Sequence, residues 1–204
     1  KIKNLLLASS SEVYHEPYKI PTDENEPIKI PDVYNPRYSY ACGKILTEIY
    51  GLHFGKKYFK KLIIFRPHNV YGKNMGNEHV VPELINKIKK SKNNVVKIKG
   101  TGKEKRSFIY IKDFVNAFEI LLKRGKHLQI YNIGTTEIIN IRNLCKIIAK
   151  NMNKKIKIKH EPIATGGTKI RCPKITKIKK LGFKKKFNIS NGIKEILKWI
   201  INIK

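Results

Sequence analysis

Tyr40 and Lys44 stand four residues apart in Tyr40-Ala41-Cys42-Gly43-Lys44, a spacing that on a helix places a phenol and an ammonium on one face. An ammonium beside a phenol favours the phenolate, the form a general base requires. The spacing alone carries little weight, since ten Tyr and 38 Lys among 204 residues generate about two such pairs by chance. Upstream, Ser10 and Glu12 follow the apolar run Leu5 to Ala8. A serine there could hydrogen-bond the hydroxyl that the Tyr deprotonates. Taken singly, the serines also read as a polar turn at a strand end and Glu12 as a solvated charge.

The elements that would position these groups alternate along the chain. Leu5 to Ala8 reads as a buried strand opening into a polar loop, and Glu16 to Pro36, with five prolines, excludes regular helix. From Tyr38 the period becomes helical, with Ile45, Leu46, Ile49 and Tyr50 on one face and Gly55 as a stop. Leu62 to Phe65 repeats the strand-then-polar-loop unit, ending in Arg66-Pro67-His68-Asn69. Strand, helix and strand in alternation predict a parallel α/β sheet with ligands beyond the strand C-termini. Further on, Pro82 to Lys90 reads as helix, Val95 to Lys99 as strand, and Phe108 to Ile111 as strand-like. Asp113 caps a helix closed by Gly125, Leu128 to Ile133 is a strand, and Asn140 caps a helix through Ala149. Ile156 and Ile158 alternate with Lys as in an edge strand, and Ser190 caps a final amphipathic helix.

Composition narrows the classes. The net charge is +29, large enough to suggest a polyanion partner. However, 38 of the 44 basic residues are Lys, whereas bidentate recognition of bases and phosphates leans on Arg. Ile, Lys and Asn make up 89 of the 204 residues, and their codons are all rich in A and T. The charge therefore reads as compositional drift, and nucleic acid is disfavoured as a partner. A lysine-rich nucleic-acid-binding module is the rival reading from another class, and a catalytically dead scaffold is a third. No apolar stretch approaches the roughly 18 residues of a membrane span, and the short Leu5 to Ala8 run does not make a signal peptide. Three cysteines without CxxC spacing fit a reducing cytoplasm, and His53, His68 and His79 lack metal-ligand spacing, so no metal is expected.

Five blocks in order carry a resemblance that covers nearly the whole chain. They are Ser9-Ser10-Ser11-Glu12-Val13-Tyr14; Asn35 to Lys44; Arg66-Pro67-His68-Asn69-Val70-Tyr71-Gly72; Gly100 to Asp113; and Arg171-Cys172-Pro173 with Leu181-Gly182-Phe183. Together they resemble the extended short-chain dehydrogenase/reductase family, more narrowly its NAD-dependent nucleotide-sugar epimerases and dehydratases. The resemblance implies that Tyr40 is the acid/base acting on the sugar 4-hydroxyl and that Lys44 supports it and holds the nicotinamide ribose. It puts Ser10 at the family's catalytic Ser/Thr position, Ser9, Pro67 and His68 at the cofactor, and His79, Val80 and Val81 along the sugar-nucleotide. Asn69, Arg106 and Arg171 would hold the diphosphate of that substrate. Glu12 occupies the place where the family's 4,6-dehydratases carry an Asp-Glu pair and its decarboxylases a Ser-Glu pair. The pair here is Ser11-Glu12, so 4-epimerisation through a transient 4-keto sugar leads, with dehydration and decarboxylation as alternatives.

Three departures accompany the resemblance. The glycine expected after Val-Tyr in the first block is His15, and the acidic residue after Arg-Cys-Pro is Lys174. No G-x-G-x-x-G or G-x-x-G-x-x-G cradle occurs, and Gly166-Gly167 has the wrong flanks for one. The expectation is therefore a fragment: α/β, the C-terminal part of a Rossmann-like doubly wound parallel sheet with its glycine-rich N-terminal half absent, plus a smaller α/β substrate-binding domain. Residues 1–72 would belong to the NAD-binding part and 73–204 mainly to the substrate part, with 106–135 partly returning to the Rossmann sheet. The resemblance further implies a cytoplasmic homodimer built on the Tyr-Lys helices.

Overall fold

A computed structural model of the protein describes residues 2–162 and 168–202. The motif Gly166-Gly167 lies outside the described residues. Strand β1 (Asn4–Ala8), helix α1 (Ser39–Tyr58), strand β2 (Lys61–Pro67) and strand β7 (Gln129–Ile133) form the unit that carries the site. The three strands are parallel in the order β1-β2-β7, with Ala8 opposite Phe65 and Pro67 opposite Ile133. The central β2 is a continuous apolar run buried on both faces, with Leu62, Ile63 and Ile64 fully buried. β1 lies at the edge of this sheet, so Leu5, Leu6 and Leu7 are half-buried rather than buried as expected.

Helix α1 crosses from β1 to β2. A 3-10 turn over Pro36–Tyr38 leads into it, capped by the Asn35 side chain, which accepts from the Arg37 N–H at 3.0 Å. Gly55 does not stop this helix; it is buried within it. A Cβ there would lie 2.9 Å from Leu128 Cδ2 and 3.1 Å from Leu62 Cδ1, so the missing side chain lets the helix approach the sheet. The helix is inverted in character. Ala41, Glu48 and Gly55 face the sheet, while Leu46, Ile49, Tyr50, Phe54 and Tyr58 are exposed.

The remainder packs as smaller layers. Short β3 (Val70–Tyr71) pairs with β6 (Ile109–Tyr110), and β4 (Val95–Lys99) pairs with β9 (Lys157–Glu161). A third sheet runs β10 (Ile170–Arg171), β5 (Lys105–Ser107), β8 (Ile138–Asn140), with Arg171 opposite Arg106. Helices α2 (Val80–Lys90), α4 (Ile141–Asn151) and α6 (Ile189–Asn202) enclose a core that includes Leu84, Ile88, Leu144, Ile148 and Ile193. Helices α3 (Ile111–Arg124) and α5 (Thr176–Lys180) cover β2 and β7 through Leu121 and Ile178, joined by Phe183 from the segment after α5. Among the described residues no helix is long and apolar enough to cross a membrane.

The expected caps divide. Asn140 does cap α4, accepting from Asn143 N at 2.7 Å, and Gly125 ends α3. Asp113 does not cap α3, which already begins at Ile111. Its buried carboxylate instead accepts from the N–H groups of Lys186 and Phe187 at 3.0 and 2.9 Å, pinning the approach to α6. Ser190 lies inside α6; Asn188 is the residue whose side chain accepts from a first-turn N–H, that of Asn191, at 2.8 Å.

Candidate active site

The C-terminal ends of β1 and β2 open onto a cleft of about 600 Å³ lined by Ser10, Glu12, Tyr40, Pro67, Asn69, His79 and Val80, with Met75, Phe108 and Val81 on its apolar side. Five separate stretches of sequence therefore meet at one sheet edge, the place where parallel sheets bind ligands. An adjoining hollow of about 180 Å³ shares Asn69, Val80 and Phe108 and adds Arg106, Lys99, Glu83 and Glu104.

Tyr40 lies in the first turn of α1 and is 56% exposed, its phenol open to whatever enters the cleft. Lys44 sits one turn later and donates to the Ala8 carbonyl, the last residue of β1, at 3.0 Å. One ammonium hydrogen is thereby fixed and the rest remain available beside the Tyr40 ring, whose centroid is 5.8 Å from Nζ. Ser10 is buried, and its hydroxyl oxygen accepts from the Glu12 N–H at 3.1 Å, capping the 3-10 turn Ser11–Tyr14. That leaves the Ser10 hydroxyl hydrogen free to donate. Asn69, at φ 40°, gives its side-chain amide to Ser107 O at 2.8 Å, which ties the end of β2 to β5.

Two of the expected cofactor contacts point elsewhere. Ser9 is buried and its hydroxyl donates to Glu48, while its N–H donates to Phe65 O at 2.9 Å. His68 is 1% exposed and turns its ring inward, Nε2 lying 3.1 Å from Asn132 Oδ1, so that its ring does not line the cleft. Pro67, the last residue of β2, and Asn69, at φ 40°, both line the opening, whereas His68, just past the strand, is held inward by Asn132 and by its N–H, which donates to Ile133 O at 2.9 Å. Burial pushes the His68 ring down to about 3, against the Asn132 hydrogen bond, with Arg171 and Arg66 adding to the effect.

Beneath the cleft lies a buried polar network that the sequence reading passed over. Arg66 donates to both oxygens of Glu48, Nε to Oε1 at 2.8 Å and Nη2 to Oε2 at 2.5 Å, and Nη1 donates to Tyr14 Oη at 2.7 Å. Tyr14 donates to Asn132 Oδ1 at 2.8 Å, and Asn132 Nδ2 donates to the carbonyls of Thr22 and Lys174 at 3.0 and 3.2 Å. One signal was present in the chain: Glu48 stands four residues beyond Lys44 and eight beyond Tyr40, on the helical face they share.

At the far end, Arg171 clasps Glu12 with both terminal nitrogens, Nη2 to Oε2 at 3.1 Å and Nη1 to Oε1 closer still. Burial raises the Glu12 pKa, but the Arg171 charge and hydrogen bond, helped by Arg37 and His15, outweigh it and hold the carboxyl below its usual range. Next to it, His15 adopts φ 47°, a conformation that glycine takes without cost. This accounts for the glycine that the resemblance expected there; in its place the His15 ring packs edge-on against Tyr38, 4.6 Å between centroids.

The groups present would fit the ribose and nicotinamide end of a dinucleotide: an open phenol, an anchored ammonium donor and a strand-end proline, which offers only a carbonyl acceptor, at one sheet edge. Among the described residues no cluster of three or more His, Cys, Asp or Glu side chains is placed to hold a metal ion.

Comparison with known proteins gives the same direction. The curated dTDP-D-glucose 4,6-dehydratase of Dictyostelium discoideum is 34% identical over 158 residues, 72% of this chain and 35% of its own length. That of Bos taurus is 30% identical over 206 residues, 98% of this chain and 56% of its own. The solved structure of UDP-N-acetylglucosamine 4-epimerase from Methanobrevibacter ruminantium M1, in complex with UDP-N-acetylmuramic acid, superposes with a TM-score of 0.88 at 25% identity, covering 100% of this chain and 64% of that one. This chain spans 29% to 57% of the length of the curated relatives it matches. The model of the NAD dependent epimerase/dehydratase family matches residues 1–134, about two thirds of the chain, and so, with its parallel sheet and the cleft at the strand ends, the chain belongs to that NAD-dependent family.

Proposed function

We propose that this chain is the substrate-binding and acid/base part of a nucleotide-sugar 4-epimerase that works through a transient 4-keto sugar. The observation that carries the reading is the convergence of Tyr40, Ser10 and the Ala8-anchored Lys44 at the C-terminal edge of the β1-β2-β7 sheet. Tyr40 takes the proton of the sugar 4-hydroxyl. Lys44, fixed by Ala8, favours the phenolate and reaches the ribose hydroxyls of the cofactor, while Ser10 donates to the reacting oxygen. Tyr40, Lys44 and the backbone at Pro67 would hold NAD, which would supply reversible hydride acceptance at sugar C4. Asn69, Arg106 and Arg171 hold the diphosphate by charge-assisted hydrogen bonds, and His79 and Val80 border the nucleotide. Residues 1–72 then serve mainly the cofactor and 73–204 mainly the substrate, in a cytoplasmic homodimer whose contact is the apolar outer face of α1.

A second reading, 4,6-dehydration, is favoured by Glu12, a carboxylate that lines the same cleft, and by curated relatives that are 4,6-dehydratases. The experiment is product analysis with the complete protein, NAD, and UDP-glucose or dTDP-glucose. Inversion at C4 without loss of water supports epimerisation, a 4-keto-6-deoxy sugar supports dehydration, and absence of both with either nucleotide overturns the family of reactions proposed.

A further inference from the structure

Glu12 and Arg171 occupy one another. The guanidinium gives both terminal nitrogens to the two carboxylate oxygens, and its side chain is only 10% exposed against 39% for Glu12. Nη2 also donates to Thr168 Oγ1 at 3.1 Å, and Nε is buried with no hydrogen-bond partner among the described residues. Arg106 is the register partner of Arg171 across the β5-β10 pair. It gives its terminal nitrogens to backbone carbonyls of Lys105, Thr168 and Lys169 at 2.7 to 3.3 Å, and no carboxylate among the described residues is paired with it. Burial and the neighbouring Arg171 charge lower Arg106 to about 10. Arg37 adds a third guanidinium whose charge acts on Glu12.

Two carboxylates, Glu12 paired with Arg171 and Glu104 acting on Arg106 through its charge, thus face three guanidiniums, and positive charge is in excess in a partly desolvated place. An Arg fork presents the same pair of N–H groups to a carboxylate as to a phosphate. A ligand phosphate that engages Arg171 in that way must therefore take the nitrogens Glu12 now holds. The half-exposed member of the pair is the carboxylate, so Glu12 is the partner able to move.

We infer that Glu12 is the resident counter-anion of the phosphate site, displaced from Arg171 by an incoming diphosphate and released into the cleft as a free carboxylate only when that ligand is bound. The inference rests on the nucleotide-sugar reading above and adds to it a residue that sets affinity and couples binding to the availability of a base. The free protein keeps its guanidiniums neutralised; the loaded protein has a carboxylate beside Ser10 and Tyr40.

The test is calorimetric titration of the complete protein with UDP and with dTDP. Glu12→Gln and Glu12→Ala each remove the competing charge and should tighten binding of whichever nucleotide the wild type takes by about tenfold. Glu16→Gln makes the same change in net charge at an exposed position four residues away and should leave affinity within about twofold. Equal or weaker binding by both Glu12 variants, or equal tightening by Glu16→Gln, overturns the inference while wild-type binding upholds the nucleotide reading. Failure of the wild type and every variant to bind either nucleotide overturns both.

Discussion

Glu48 of α1 and Arg66 of β2 are joined by two hydrogen bonds, at 2.8 and 2.5 Å, with both residues at least 97% buried. The same carboxylate accepts from Ser9, which follows the Ala8 carbonyl that holds Lys44. Helix α1 is therefore fastened to the sheet on two successive turns, and Tyr40 projects one turn before the first fastening. Removing one member leaves the other charged and buried. Glu48→Ala should destabilise the protein by about 3–5 kcal/mol in urea denaturation, and Glu48→Leu with Arg66→Met should recover much of that loss. A loss below about 1 kcal/mol in the single variant would show that the pair fixes little.

Tyr40 is exposed and makes no part of the core, so Tyr40→Phe should unfold at the same urea concentration as the wild type. In the complete protein with NAD and a nucleotide sugar, the same change should lower turnover by about 10²- to 10⁴-fold, the usual range for a lost general base. Lys44→Met should lower it in the same direction while also weakening cofactor binding. Turnover of Tyr40→Phe equal to wild type would exclude the acid/base role given to it.

Much of this arrangement was legible in the chain, for identifiable reasons. Apolar runs ending in polar loops gave β1 and β2, and helical periodicity gave α1, because local pattern and tertiary placement agree there. Tyr40 and Ser10 were readable as candidates because they fall at a helix start and a strand end that a parallel sheet brings together, whereas Asn69 and His79 were candidates only through the family resemblance; all four line one cleft. The errors share a cause. Asp113 and Ser190 have capping chemistry, yet their partners are decided by which backbone N–H groups arrive nearby, and Lys186 and Phe187 lie more than seventy residues from Asp113. The inward turn of His68, just past the end of β2, is set by Asn132 of β7, a partner beyond the reach of any local pattern. Glu48 shares a helical face with Tyr40 and Lys44, but nothing local marks Arg66, eighteen residues on, as its partner.

The His68 ring gives the folded protein a pH dependence of definite sign. Its pKa is pushed down to about 3 in the fold and is about 6.5 in an unfolded chain. Between those values the unfolded state binds a proton that the folded state does not, so the full contribution to stability is present above about pH 6.5 and is lost as pH falls toward 3. Denaturation free energy should decrease between pH 6.5 and 5, above the range where ordinary carboxylates titrate. His68→Gln, which keeps a polar group toward Asn132 without a titratable ring, should flatten that slope. A variant with the wild-type slope would mean that another group carries it.

The outer face of α1 gives the last expectation. Leu46, Ile49, Tyr50, Phe54 and Tyr58 recur at three- and four-residue intervals and are 46% to 60% exposed. Tyr50 and Phe54 stack with centroids 6.0 Å apart, so the stripe is continuous rather than scattered. A contiguous apolar stripe on the helix that also bears Tyr40 and Lys44 fits self-association through α1 of two copies, because a twofold contact would place this stripe against itself. Ile49→Glu puts like charges opposite one another across such a contact and should shift the protein from dimer to monomer in sedimentation equilibrium. Lys123→Glu, on α3, changes charge at another exposed position and should leave the association state unchanged. Because α1 is fastened to the sheet from its inner face, Ile49→Glu should leave the urea midpoint of the isolated monomer unaltered; a monomeric wild type, or a variant that dimerises as tightly, would remove α1 as the contact.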